Sequence, residues 1–343
     1  MHKIAVILGA GAANDVSNES RAMDTTLRPP LVSQLFGLRA KSNFSGILER
    51  YEGASLLYDE LFPLATAETL NLEAKLQEYA NHGNARIARA FRDIPPYIRD
   101  VLAASSAAYA SNLGSYMQLI LTLLAHHPHE IAFIVMNYDD LLEKGLHRFH
   151  ASMFFFENLP DYIEVGRQAR VYKLHGSINW LVALADSQGH SWADIVTSID
   201  DLTSLRDLEV HVVHGQTEVR NPWNNKFMYP LITMPLADKG EDAYVCPDAH
   251  VQQLREWLAD CDKYLIVGTS GQDADLMALL RSAVKSPSIL HYVSLNEAAT
   301  VRARFEAAVP QFAATSPTTW DRGLVQYVNS EEFDQLARST PAP

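Results

Sequence analysis

Two short stretches hold side chains able to do chemistry on a small molecule: Met136-Asn137-Tyr138-Asp139 and Lys173-Leu174-His175-Gly176-Ser177. An imidazole such as that of His175 can take a proton from a hydroxyl or a water near neutral pH. The Asn137 carboxamide offers a donor and an acceptor, which suits it to orienting a water or a sugar hydroxyl; its structural alternative is an Asx-type turn. Asp139 either orients a neighbour or starts the helix that follows. Three further segments fit a nucleotide. Leu8-Gly9-Ala10-Gly11-Ala12 brings amide donors and bare backbone toward a pyrophosphate, or makes a tight strand-to-helix turn without a ligand. Gly268-Thr269-Ser270 places two hydroxyls behind a conformationally free glycine, with Ser270 or Asp273 capping the next helix. Asn296 offers its carboxamide to a ribose, or caps a helix beginning at Glu297. Together these residues describe a nucleotide site with a neutral amide and an imidazole at its reactive centre. The fingerprint G-x-G-x-x-G would need glycine at position 14, where Asn14 stands, so an ordinary dehydrogenase is disfavoured.

Each segment follows an apolar run of strand length. Runs at 3–8, 131–135, 171–174, 264–267, 289–295 and 323–328 read as strands, linked by helical patterns such as 248–258 and 273–284. A parallel sheet ends its strands at one edge, which delivers Asn137 and His175 side by side. Segment 14–30 is polar and irregular, a candidate loop over that edge. From 45 to 127 the chain is rich in Ala and Leu, with helix-face spacing at Leu113, Met117, Ile120, Leu121 and Leu124 and interruptions near Pro63, at Asn81-His82-Gly83-Asn84 and at Pro95-Pro96. Between 179 and 246 only a strand over 228–234 and a helix over 192–206 are legible. The expected fold is therefore α/β: a doubly wound, mostly parallel, Rossmann-like sheet with a large helical insertion. Residues 1–44 and 128–343 form its core and 45–127 the insertion.

The formal charge of −13 argues against direct nucleic-acid binding, which calls for a basic patch or stripe. No apolar run approaches the roughly 18–20 residues that cross a bilayer, and the N-terminus has no signal-peptide succession, so the expectation is a cytoplasmic protein without a membrane partner. Cys246 and Cys261 cannot make a four-cysteine zinc site. His126, His127 and His129 flank Pro128, but no matching carboxylate or cysteine spacing supports a metal site there.

In this order the motifs resemble the sirtuin family, and more closely its bacterial sirtuin-like NAD hydrolases. Gly9-Ala10-Gly11-Ala12 is similar to the family's first NAD loop, Asn137-Tyr138-Asp139 to its Asn-Ile-Asp segment and His175-Gly176 to its catalytic His-Gly. Gly268-Thr269-Ser270 is similar to its Gly-Thr-Ser loop, and Leu295-Asn296 to its adenosine-ribose Asn. The resemblance implies NAD as substrate, catalysis by His175 and Asn137, and NAD contacts at Gly9, Ala10, Gly11, Ala12, Asp139, Gly268, Thr269, Ser270 and Asn296.

Three departures narrow the expected activity. The family's deacylases carry a four-cysteine zinc ribbon, which this chain cannot build, so no zinc is expected. Their Pro-Asp-Phe-Arg element is replaced by Pro29-Pro30-Leu31-Val32, and Met136 stands where their Gln precedes the Asn. The resemblance thus implies cleavage of NAD+ to nicotinamide and ADP-ribose, linear or cyclic, in bacterial antiphage defence. A protein deacylase or ADP-ribosyltransferase, and a non-catalytic NAD or ADP-ribose sensor, are the rival classes. It also implies a homo-oligomer and an outside partner, such as a HerA-type ATPase or a short Argonaute, with 45–127 as the docking or assembly surface.

Overall fold

The structure is a computed structural model that describes residues 3–16, 29–31, 34–37, 44–67, 69–110, 113–127, 130–199, 202–215, 218–234, 236 and 245–338. The chain enters through β1 (Lys3–Leu8) and α1 (Ala10–Val16), then runs through α2 (Glu52–Ala67), α3 (Thr69–Ala80), α4 (Ala85–Phe91), α5 (Ile94–Tyr109) and α6 (Gly114–His126). It returns to the sheet as β2 (Ile131–Val135), followed by α7 (Leu141–Phe149) and β3 (Ala169–Lys173). A second group follows: β4 (Gly176–Asp186), α8 (Trp192–Thr197), β5 (Val210–Val212) and β6 (Lys226–Ile232). The last third alternates as α9 (Asp248–Ala259), β7 (Cys261–Val267), α10 (Ala274–Ala283), β8 (Ile289–Val293), α11 (Ala298–Ala308), α12 (Pro310–Ala313), β9 (Thr318–Trp320), α13 (Gly323–Tyr327) and α14 (Glu331–Arg338).

Six strands form one parallel sheet in the order β3-β2-β1-β7-β8-β9, which is the doubly wound arrangement, with the order reversing between β1 and β7. The central strands are continuous apolar runs because helices cover both faces of the sheet; Ile4 to Leu8 and Ile131 to Val135 are all buried. Their ends are level. Lys173, Val135, Leu8, Val267, Val293 and Trp320 form one paired row across the sheet, so the loops beyond it start at a common height.

β5, β4 and β6 make a separate antiparallel sheet, in that order, out of the stretch whose pattern was weakest. It packs against α2 to α5, and Tyr51, Leu61, Leu72, Tyr97 and Ile98 share one buried cluster with Leu181, Val182, Trp192, Met228 and Tyr229. α6 instead joins the core of the parallel sheet through Tyr116, Leu119, Ile120 and Leu123. A buried polar knot ties α5 to the second sheet. Arg99 Nε donates to the Ile178 carbonyl at 2.7 Å and Nη1 to Asp100 Oδ1 at 2.9 Å, while the Tyr51 hydroxyl donates to Asp100 Oδ2 at 2.5 Å. Burial pushes the Asp100 carboxyl up, against the pull of the Arg99 guanidinium.

Three local expectations change. Residues 323–328 are not a strand: Leu324, Tyr327 and Val328 are buried at helical spacing in α13 and its C-cap, Asp15 Oδ2 accepts from the Val325 amide at 3.1 Å, and the edge strand β9 lies upstream. An apolar run this short does not reveal its period. Pro63 sits inside α2 instead of breaking it, and Pro95 and Pro96 open α5 at the positions where a missing N–H costs least. The helix read over 192–206 is α8 followed by a 3-10 turn at Thr203–Asp207.

Burial lowers the pKa of His291 to about 4, and its Nδ1 pairs with the Tyr327 hydroxyl at 2.7 Å. Stability from the neutral ring is complete above the unfolded value near 6.5 and is lost as pH falls toward 4, because the unfolded chain takes the proton first. The stability deficit of His291→Gln is expected to shrink by about 1.4 kcal/mol per pH unit over that window. Urea unfolding of both proteins from pH 7 to 4.5 checks this. Buried carboxyls such as Asp100, which act with the opposite sign, cancel in the difference; a deficit independent of pH contradicts it.

Candidate functional site

The floor of the site lies where the strand order reverses. The Gly9 amide donates to the Val267 carbonyl at 2.9 Å and the Gly11 amide to the Gly268 carbonyl at 2.8 Å. A Cβ on Gly9 or Gly11 would stand 2.5 or 2.7 Å from the Gly268 oxygen, and one on Gly268, at φ +61°, would stand 2.1 Å from the Ala12 nitrogen. The glycines therefore let two backbones lie against each other, and two of the amides read as pyrophosphate donors are spent inside the fold. Ala12 is buried under this turn, with its amide donating to the Gly9 carbonyl at 3.0 Å, and Ala10 is half-buried. Asn14 is tied to Pro29 through Nδ2, which donates to the Pro29 carbonyl at 3.1 Å. Residues 17–28 of the loop expected over the site lie outside the described residues.

Asn137 and His175 each stand two residues past a paired position, Val135 and Lys173, on neighbouring parallel strands. Asn137 Nδ2 donates to the Gly9 carbonyl at 2.8 Å, while its Oδ1 is buried without a hydrogen-bond partner. A buried acceptor left unpaired costs about 1–3 kcal/mol, which a donor from a ligand or a water removes. Asp139 Oδ1 accepts at 3.1 Å from the amide of Leu141, the first residue of α7. Burial pushes its carboxyl up, opposed by the charge of Lys173. Lys173, fully buried, donates to the Asp139 carbonyl oxygen and pairs with Glu143 Oε1 at 2.9 Å, fixing the loop that carries Asn137 from below.

His175 occupies the turn between β3 and β4, where the chain leaves one sheet for the other. Its carbonyl accepts from the Thr233 amide at 2.9 Å. Gly176, at φ +80°, packs where a Cβ would meet the Leu231 carbonyl oxygen at 2.0 Å. Tyr138 stacks obliquely on the imidazole, ring centroids 6.3 Å apart, and its hydroxyl donates to the Thr233 carbonyl at 2.5 Å. The imidazole Nε2 lies 3.0 Å from Asp273 Oδ2, with the ring turned off the line of a straight hydrogen bond. Asp273 entered the sequence reading only as a helix cap, which it also is: Oδ1 accepts from the Leu276 amide at 2.8 Å. The signal that points to it is its place three residues after Gly268-Thr269-Ser270; nothing local marks a contact with a residue almost a hundred positions earlier.

The remaining sequence candidates sit farther out. Thr269 Oγ1 accepts from the Gly271 amide at 3.2 Å, and Ser270 is exposed, its carbonyl accepting from Arg304 Nη1 at 2.7 Å. Asn296 is exposed and does not cap α11; Ser294 Oγ and Asp321 Oδ1 accept from the Glu297 and Ala298 amides there. No hydrogen bond among the described residues ties Asn296 to the crevice. His127 Nε2 meets the Ala337 carbonyl at 2.7 Å and Lys263 Nζ at 3.3 Å, while Pro128 and His129 lie outside the described residues. Among the described residues no helix is long and apolar enough to cross a membrane.

An amide and an imidazole over close-packed glycines, at the carboxyl edge where strand order reverses, place the chain in the class of doubly wound α/β domains, whose ligands lie at that edge. A sequence model of the family described as SIR2-like domain matches residues 131–309, more than half of the chain, and the chain belongs to that family. No match is found among curated protein sequences. Among solved structures, a Sir2 homologue in complex with NAD aligns over 98% of this chain and 88% of its own at 14% identity, with a TM-score of 0.44. A Sir2 structure holding the inhibitor EX-527, 2'-O-acetyl-ADP-ribose and a deacetylated p53 peptide aligns over 98% and 95% at 12% identity, with a TM-score of 0.39.

The glycine contact has a direct stability test. Left-handed backbone costs a residue with a Cβ about 1–3 kcal/mol before any clash, so Gly268→Ala is expected to lose more than that in chemical denaturation. Gly46, with nothing within 4 Å of an added Cβ, is the control: Gly46→Ala is expected to stay near the wild type. Equal effects at the two positions would contradict the backbone packing described.

Proposed function

We propose that the chain is an NAD+ glycohydrolase, cleaving NAD+ to nicotinamide and ADP-ribose or its cyclic form. The observation that carries the reading is that Asn137, resting on the Gly9 carbonyl with its Oδ1 buried and unpaired, and His175 each stand two residues past the paired ends of neighbouring parallel strands. Membership of the SIR2-like family supports NAD as the substrate.

The reaction asks little of the protein beyond placement. Nicotinamide leaves NAD+ as a neutral molecule from a cationic ring, so its departure needs no general acid, and the ribose passes through an oxocarbenium-like state. His175 accepts the proton of the ribose hydroxyl or the incoming water. Asn137, held by Gly9, donates to or accepts from that oxygen and fixes its approach. Gly9, Ala10, Gly11, Ala12, Asp139, Gly268, Thr269, Ser270 and Asn296 are proposed to shape the rest of the dinucleotide site. Of these, Gly9, Gly11 and Gly268 do so by letting backbone take the place of side chains.

The resemblance to bacterial sirtuin-like hydrolases extends the reading to NAD depletion in antiphage defence, with zinc playing no part. A homo-oligomer and a partner such as a HerA-type ATPase or a short Argonaute would then restrain or release the activity. We propose 45–127 as the surface they use.

His175→Ala and Asn137→Ala are each expected to lower nicotinamide release from NAD+ by about 100-fold or more, with the circular dichroism spectrum of the folded chain retained. The assay is run on the purified chain alone and with candidate partners. Full activity in either variant removes that residue from the mechanism. Release only when a peptide or protein acceptor is supplied makes the chain a deacylase or ADP-ribosyltransferase, and tight NAD binding with no turnover makes it a sensor.

A further inference from the structure

We propose that Asp273 is a positioning residue: it holds the His175 proton on Nε2 and leaves Nδ1 as the basic nitrogen. The inference rests on the reading of His175 as proton acceptor. It starts from the division of labour between the two oxygens of one carboxylate. Oδ1 is committed to the Leu276 amide at the start of α10, at 2.8 Å, while Oδ2 lies 3.0 Å from His175 Nε2. The cap fixes the carboxylate before any substrate arrives, so its second oxygen meets the imidazole at no further cost in side-chain freedom.

The geometry of the sheet makes this contact unusual. β3, which leads to His175, is separated from β7, which leads to Asp273, by β2 and β1, so their axes are roughly 14 Å apart at about 4.8 Å per strand. The two loops therefore reach toward each other across the crevice, above Gly9 and Asn137. Their side chains are 8% and 16% exposed, so the pair is largely shielded from solvent.

Among the described residues, other polar groups of the adjoining loops are engaged elsewhere. The Tyr138 hydroxyl donates to Thr233, Lys173 is turned to Asp139 and Glu143, and Asp139 is turned to Leu141. A carboxylate only accepts, so Oδ2 asks for an N–H on Nε2, and in a neutral imidazole the other nitrogen then carries the lone pair. The ring is turned off the straight line, and catalytic hydrogen bonds commonly tighten when substrate binds.

Helix capping supplies the control, because Asp, Asn and Ser cap with similar strength. In Asp273→Asn the cap keeps Oδ1, the amide NH2 faces Nε2 and donates to it, and the proton is driven to Nδ1. In Asp273→Ser the cap remains and Nε2 has no fixed partner. The experiment reads the nitrogen-15 shifts of His175 in histidine-labelled full-length chain, assigned by difference against His175→Gln, together with nicotinamide release and thermal unfolding.

The expected result is an Nε2–H tautomer in the wild type, Nδ1–H in Asp273→Asn and a mixture in Asp273→Ser, at equal unfolding temperatures. Turnover should fall in the order wild type, Ser, Asn, with the Asn variant down about 100-fold or more in kcat and little changed in KM. The same tautomer in all three proteins overturns the inference, as does an Asn variant that turns over as fast as, or faster than, the wild type. A wild type that never releases nicotinamide, yet switches tautomer in the Asn variant, sinks the hydrolase reading and leaves Asp273 in this role. Turnover with unchanged tautomers does the reverse.

Discussion

Everything at the site leans on the contact between the Gly9-Ala10-Gly11 turn and Gly268. Two backbone hydrogen bonds, with no room for a Cβ on either side, set the distance between the first strand and the strand across the switch point. From there a circuit of single contacts runs outward. Asn137 rests on the Gly9 carbonyl, Tyr138 reaches Thr233, Thr233 holds the His175 backbone, and His175 faces Asp273, which caps the helix after the Gly268 loop. Each such bond is worth only about 0.5–1.5 kcal/mol net. Their value is geometric: a closed circuit places an amide and an imidazole more tightly than any one bond.

His175 also stands at the junction of two packing units. Leu174 belongs to the core of the parallel sheet and Ile178 to the cluster shared by the second sheet and α2 to α5. Arg99 grips the Ile178 carbonyl from α5, and Thr233, just beyond β6, grips His175 and Tyr138. Two hydrogen-bonded links therefore join α5 and the end of β6 to the segment that carries His175.

The parallel sheet was legible because burial on both faces leaves strands as unbroken apolar runs, and β1 and β2 coincide with the runs at 3–8 and 131–135. The antiparallel sheet was not. β4 begins Gly-Ser-Ile-Asn-Trp, and buries Ser177 and Asn179 along with Ile178 and Trp180, so neither alternation nor an apolar run marks it. At the candidate site, the position of Asn137 and His175 past neighbouring strand ends was legible, because each follows an apolar run at a fixed offset. The place of Asp273 was not, because its partner is brought by a loop crossing two intervening strands. Local sequence also overstated the amides of Gly9 and Gly11, since nothing in Gly-Ala-Gly shows that a second backbone already occupies them.

The distribution of charge around the crevice bears on the kind of chemistry it favours. Lys173 ends β3 two residues before His175, and a buried ammonium there would oppose positive charge on a substrate. Glu143 balances it at 2.9 Å, and removing one partner of such a pair costs about 3–5 kcal/mol. With that charge matched below, the Asp273 carboxylate is the group that faces the imidazole above the floor. In the proposed hydrolase, a carboxylate held by helix α10 beside His175 would stabilise positive charge gathering on a ribose, and would do so without reorganisation.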